Sequence, residues 1–418
     1  MNTKKHIMAL TALALSAGLL AGCGSTPGGG GTPSDKVQGV TDTEVKIANS
    51  AATSGTYAPV GVPFLAGMQA YLKMINDQGG INGRKVTFLH TDDEFDPAKG
   101  SSALTKFVED DKVFAIVGDF GTPVVAANVA QLKEYGIPSV YFATGIGQLY
   151  ADHATTNNEG YNIFPVQPIY RTEGSIMAAY AAGHFSAKKI GIIYTNDDAG
   201  MDLEKGAVNQ IKSMDGIQFV EQQVAAGAAD VSAAVTSIKQ ANVDFIIVAA
   251  IQGTMPTIVK ELAAQGVNKD CITTYVNVSS AMSDAVVQDI SGKFNVYGLG
   301  WVDYTSSIAQ ESLKDYQAQI DPQYAMNAYA QTGWIASYFF CEGLRRVGSG
   351  PLTWDTYMKA LESSPIQNPF GGVIDYSNGQ RLGTQEMNLS KVVTKSDANP
   401  AGWQQEEPLQ GVNALLGK

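Results

Sequence analysis

From Thr43 onward, short apolar runs alternate with longer stretches in which apolar residues recur every three or four positions. Val45-Lys46-Ile47-Ala48 predicts a first strand, and Phe64, Met68, Tyr71, Leu72 and Ile75 line one face of a helix that Gly79-Gly80 ends. Lys85 to Leu89 predicts the next strand, and Pro97 opens a helix behind Asp96. Two strand-to-helix turns follow, one at Phe114 to Pro123 and one at Val140 to Gly145. In each, an apolar run gives way to Gly and Thr, whose backbones a ligand can approach closely. The block from Val45 to Phe142 reads as one doubly wound α/β unit.

After Phe164-Pro165 the alternation starts afresh. Ile190 to Tyr194 predicts a strand, followed by a turn at Thr195 to Gly200 and a helix carrying Leu203, Val208 and Ile211. Val243 to Ala249 has the apolar continuity of a central strand, and a helix is predicted from Thr254 to Gln265. Ile272 to Val276 and Phe294 to Tyr297 complete a second unit of similar size, so two lobes with a cleft between them are expected. In the last third, Ala325 to Arg346 predicts a long core helix and Val373-Ile374 a strand ending in a turn. The tail from Lys395, with Pro400, Pro408 and several Gln, reads as a surface extension.

The first of the two turns carries the clearest chemical signal. Thr122 is placed at the N-cap, Pro123 at the first helical position, Val125, Val129 and Leu132 on the apolar face, and Gly136 past the end. A helix start leaves backbone N–H groups unpaired beneath the positive end of the dipole, which suits a carboxylate. An ordinary capped crossover helix would show the same residues.

Composition narrows the classes of function. The 418 residues hold 28 Lys+Arg against 40 Asp+Glu, a net charge of −12, which argues against nucleic acid or anionic lipid as partner. At the N-terminus, Lys4 and Lys5 precede an apolar stretch from Ile7 to Leu20 that ends in Leu20-Ala21-Gly22-Cys23. This resembles the bacterial lipobox, so residues 1–22 are expected to be a lipoprotein signal peptide and Cys23 the lipidated mature N-terminus. Residues 23–42, rich in Gly, Ser and Pro, are expected to be a tether holding the protein outside the cytoplasm, in the periplasm or at the cell surface. Cys271 and Cys341 are read as buried free thiols, and His90, His153 and His184 lie too far apart for a metal site. No P-loop, H-E-x-x-H, G-x-S-x-G or dinucleotide fingerprint occurs, so neither enzyme, cofactor nor metal is expected.

Ile75-Asn76-Asp77-Gln78-Gly79-Gly80-Ile81-Asn82-Gly83-Arg84, followed by Asp92-Asp93-Glu94-Phe95-Asp96-Pro97, resembles the leucine/isoleucine/valine-binding protein family of type I periplasmic binding proteins. Gly118, Gly136-Ile137-Pro138, Tyr194 and Asp198 with Gly200 fit the same pattern. The resemblance implies two Rossmann-like doubly wound lobes joined by three crossovers, near 164–168, 298–304 and 370–376. The first lobe would comprise 43–165 plus 299–371 and the second 166–298 plus 372–418. It further implies a monomer that captures a small carboxylate-bearing ligand, a branched-chain amino acid first, and delivers it to the permease subunits of an ABC importer. The alternatives are an aromatic or dicarboxylic acid, an amide, or a sensory role.

Matched onto this chain, the family's carboxylate site falls on Thr122, Ala143, Thr144 and Gly145, with Tyr57 covering the ligand. The facing wall would use Asp198, Gln252 and Asn277, with Gln167, Trp301 and Tyr304 at the crossovers. There the chain departs from its relatives. The stretch expected to hold the amine-binding acid is Tyr275-Val276-Asn277-Val278-Ser279, and a disulfide of some members is replaced by Phe95 and Gly121. Asp198 or Asp303 is the expected source of any compensating charge.

Overall fold

The computed structural model describes residues 37–154 and 160–418. The signal peptide and Cys23 lie outside the described residues, as does most of the tether. The tether's last part does not run free: Gln38 Nε2 donates to the carbonyls of Val108 and Val113, at 3.2 and 2.9 Å.

Strand and helix alternate as the hydrophobic pattern predicts. The first half runs β1 (Glu44–Ala51), α1 (Ala58–Asp77), β2 (Lys85–Asp92), α2 (Pro97–Glu109), β3 (Ala115–Phe120), α3 (Thr122–Tyr135), β4 (Ser139–Ala143) and β5 (Ile163–Phe164). These strands form one parallel sheet in the order β2-β1-β3-β4-β5. The chain then builds α4 (Tyr170–Ala182), β6 (Lys189–Thr195), α5 (Asp198–Lys212), β7 (Gln218–Val224), α6 (Ser232–Ala241), β8 (Phe245–Ala249), α7 (Thr254–Ala264), β9 (Cys271–Thr273), α8 (Ser280–Ile290) and β10 (Val296–Gly300). It returns to the first sheet with α9 (Ser307–Gln319), α10 (Ala328–Val347) and α11 (Trp354–Glu362), whose central helix packs on α1, β3 and β4. A small hairpin of β11 (Ile366–Gln367) and β12 (Val373–Ile374) precedes β13 (Glu386–Val392), β14 (Trp403–Gly411) and α12 (Val412–Leu415). The second sheet has the order β14-β13-β10-β9-β8-β6-β7.

Sequence signals account for most element ends. Asp96 caps α2 by accepting from the backbone N–H groups of Ala98 and Lys99, and α3 stops at Gly136 in the left-handed conformation, φ 66°. The start of α3 is shifted by one residue from expectation. Gly121, at φ 92°, takes the N-cap, and Thr122 is the first helical residue. A φ of that sign is open to glycine and strained for threonine. The Thr122 hydroxyl is thereby released from capping.

The tail is also corrected: 403–411 is not a surface extension but the edge strand of the second sheet, antiparallel to β13. Its alternation of half-buried and exposed residues, with Pro408 at an irregularity in the β13–β14 register, is what an outermost strand permits. Cys271 and Cys341 are both buried and free, one on β9 and the other on α10. No helix among the described residues is long and apolar enough to cross a membrane.

Candidate ligand-binding cleft

The carboxyl ends of β3 and β4 in one lobe and of β8, β9 and β10 in the other converge on a cavity of about 930 Å³, its mouth included. At its first-lobe end sits the turn from Phe120 to Thr122, with Ala143 beside it. Two local distortions aim these strand ends. The β3–β4 register passes over Gly118 and Tyr141, both at positive φ, 78° and 61°. Positive φ is unusual for tyrosine, and irregularities of this kind gather beside binding sites. The Tyr141 hydroxyl accepts from Gln167 Nε2 at 2.8 Å, tying β4 to the first crossover.

Hydroxyls cluster around the helix start. Thr122 Oγ1 and Thr144 Oγ1 are 2.8 Å apart, and the Ile146 N–H donates to Thr144 Oγ1. The buried Tyr170 phenol lies beside both threonines, and burial holds its pKa above the ordinary tyrosine value. The Tyr275 hydroxyl donates to Gln167 Oε1 at 3.1 Å, and Trp301 meets the Tyr275 ring edge-on at 6.4 Å. This end of the cavity is therefore rich in hydroxyls within an aromatic shell.

An aromatic pair covers the entrance. Tyr57 and Phe95 stack with ring centroids 3.7 Å apart, and the Phe95 ring lies so close to Gly121 that an added Cβ would come within 2.5 Å of it. The Phe95 N–H donates to Asp93 Oδ1 at 2.8 Å, which shapes the loop that presents the ring. Burial pushes the Asp93 carboxyl up to about 6. Phe95 and Gly121, the two positions that the resemblance matched to a disulfide of some members, are thus in ring-to-backbone contact.

Across the cleft, Tyr329 of α10 reaches the other lobe. Its hydroxyl accepts from Gln252 Nε2 at 3.3 Å and donates toward Val276 O and Ser279 Oγ, at 3.4 and 3.2 Å. A second tie joins the lobes where the Gly147 N–H donates to Asp202 Oδ2 at 2.8 Å.

Of the residues singled out from sequence, Tyr57, Thr122, Ala143, Gln167, Gln252, Trp301 and Tyr304 line this one cavity. The rest stand elsewhere. Thr144 is buried behind Thr122, and Gly145 packs against Pro168 O and the Tyr170 and Tyr275 side chains. Asn277 is fully buried, its amide oxygen accepting the Gln252 N–H at 2.9 Å and its amide nitrogen donating to Ala250 O and Thr273 Oγ1. Asp198 faces an outer vestibule beyond Tyr57 and Phe95, and Asp303 caps Thr305. Tyr170, Tyr275, Tyr329, Gln331 and Thr332 line the cavity without having been singled out as ligand contacts. No Asp, Glu, Lys, Arg or His is among the described residues that line it.

Residues 44–398 match the model of the periplasmic binding protein family, and the chain belongs to that family. Its fold is that of the type I members, with two α/β lobes. Among curated relatives, the Leu/Ile/Val-binding protein homolog 1 of Brucella suis is 25% identical over 256 residues, 61% of this chain and 67% of that one. An amino acid binding protein of Pseudomonas aeruginosa is 21% identical over 331 residues, 78% of this chain and 85% of that one. Among solved structures, a branched-chain amino acid ABC transporter protein from Thermus thermophilus with bound valine superposes with TM-score 0.77 at 15% identity, covering 90% of this chain and 98% of that one. A fatty acid ABC transporter substrate-binding protein from Thermomonospora curvata reaches 0.75 at 16% identity, covering 92% and 96%. A solute-binding protein of R. palustris in complex with benzoate reaches 0.72 at 18% identity, covering 88% and 98%.

Proposed function

We propose that this protein is an extracytoplasmic, lipid-anchored, monomeric solute-binding protein that captures a small apolar monocarboxylate between its lobes and hands it to an ABC importer. The observation that carries the ligand class is the absence of any acid or base among the described residues lining the cavity. An α-amino acid would bring an ammonium group into this space without a carboxylate partner, and an unpaired buried charge costs several kcal/mol. A monocarboxylate needs only donors. The Thr122 hydroxyl, the first N–H groups of α3 and the Tyr170 phenol offer them at one end, with aromatic surface for the hydrocarbon beyond. Capture requires no bond making, and no catalytic role is assigned to any residue.

A branched-chain amino acid is the second reading, favoured by the names of the Brucella relatives and by the valine-bound neighbour. Asp198 would then have to serve the ammonium group, from a vestibule on the far side of the Tyr57–Phe95 pair. Native mass spectrometry of the purified protein, with identification of the released molecule, tests the first reading. A hydrocarbon or aromatic acid is the expected occupant, and an α-amino acid or a neutral sugar would contradict it.

A further inference from the structure

Behind the cavity wall made by Tyr275 lies a carboxyl group that the capture of ligand does not explain. Glu173, in the first turn of α4, is fully buried. Its Oε1 accepts the Tyr275 backbone N–H at 2.6 Å, and its Oε2 stands 2.8 Å from Thr274 Oγ1. Tyr275 in turn lines the cavity, as does Tyr170, three residues before Glu173 on the same helix, with its phenol beside Thr122 and Thr144. One buried carboxyl therefore stands directly behind both tyrosines that meet the carboxylate end of the proposed ligand.

The groups that act on Glu173 are few. Tyr170 on its own helix and Tyr275 on the opposing loop are the titratable neighbours. α5, α12, β8 and β9 pack on α4, yet none of them brings a charged group to bear on Glu173. Arg171 is engaged with Asp202 at 2.6 Å. A carboxylate in such a place has two hydrogen bonds and no counter-charge, so ionising it is costly.

We propose that Glu173 is a neutral carboxylic acid that positions the Tyr275 wall, and that anion capture is linked to its keeping that proton. This rests on the carboxylate reading of the ligand. The acid's O–H can donate to Thr274 Oγ1 while its other oxygen keeps the Tyr275 N–H. Burial pushes the carboxyl up to about 8, so it is protonated at neutral pH and ionises in mildly alkaline solution. Once ionised, it places a negative charge one side chain from the bound carboxylate, in surroundings with little screening. The linkage is reciprocal: the bound anion holds the proton on Glu173, and loss of that proton weakens the anion's binding.

The test pairs 4-methylpentanoate with its neutral amide, 4-methylpentanamide, by calorimetry on the full protein from pH 6 to 9.5. Affinity for the acid is expected to fall by about tenfold between pH 7 and 9.5, the effect of a one-unit change in the carboxyl's pKa on binding. Affinity for the amide is expected to stay level, and Glu173→Gln to level the acid's profile. Wild-type protein titrated at pH 8.5 in buffers of different ionisation enthalpy should take up protons on binding the acid and none on binding the amide. A level wild-type profile for the acid, or an E173Q profile that follows the wild type, overturns the proposal. Infrared spectroscopy of the ligand-free protein reads Glu173 by itself: a protonated carboxyl band at pH 7 that is lost in E173Q is expected, and its absence overturns the proposal. Failure of every acid to bind while that band is present contradicts the ligand class instead.

Discussion

Thr122 shows how a one-residue shift changes a side chain's role. As an N-cap its hydroxyl would be engaged with its own helix; with Gly121 in that place it lies 2.8 Å from Thr144 Oγ1 at the cavity surface. Thr122→Ala should weaken binding of 4-methylpentanoate about tenfold or more, the range for one hydrogen bond to a charged group at about 1.5–3 kcal/mol. Unchanged affinity by calorimetry would remove the carboxylate from this turn. Glu173 makes a prediction about stability as well. Its folded pKa lies above the ordinary value of 4.5, so the folded chain holds a proton that the unfolded chain has lost. Its burden on stability is absent below pH 4.5, grows as pH rises and is complete above about 8. Denaturant titrations should therefore show E173Q gaining on the wild type across that window, and a constant difference would contradict it. Burial also pushes the Cys341 thiol up to about 12, and Cys271 higher still. At this scale the sequence revealed residue types and little of their neighbours. Thr122 was legible from a strand-to-helix turn, whereas Asn277 matched a binding position yet serves to hold the Gln252 backbone.

Elements decide which of these residues meet. α10 brings Tyr329 from the first lobe to Gln252, Val276 and Ser279 of the second, so its hydroxyl fastens the cleft shut. Tyr329→Phe keeps the ring and removes those bonds. Ligand should dissociate about three- to tenfold faster, as expected for about 0.5–1.5 kcal/mol of lost hydrogen bonding, and stopped-flow fluorescence would measure it. A second fastening lies at the crossovers. Arg381, 1% exposed, pairs with Glu362, donates to Tyr161 O at 2.7 Å and lies 4.1 Å from the Phe164 ring centre. Arg381→Ala should cost about 3 kcal/mol, the lower end for a broken buried pair because Glu362 retains access to water. The strand and helix order was legible because apolar spacing reports burial directly. The Tyr170, Tyr275 and Tyr329 contacts were not, since their hydroxyls come together only through packing between distant elements. β14 escaped notice because an edge strand carries polar residues on its open side.

For the whole molecule, the repeated α/β pattern and the resemblance of its glycine turns were enough to foresee two doubly wound lobes, and membership of the periplasmic binding protein family agrees with them. The ligand is written less openly. It depends on a wall assembled from both lobes and the crossovers near 164–168 and 298–304, in which Tyr275, Val276 and Val278 stand where an acid was sought. The proposed ligand class requires that the cavity accept a carboxylate and that its described lining offer no partner to an ammonium group. Leucine and 4-methylpentanoate share a carbon skeleton and differ only by the α-amino group, so calorimetric titration of the two at pH 7 isolates that group. 4-Methylpentanoate is expected to bind at least about tenfold more tightly than leucine, since leaving an ammonium unpaired in a closed cavity costs well over 1.4 kcal/mol. Tighter binding of leucine would contradict it.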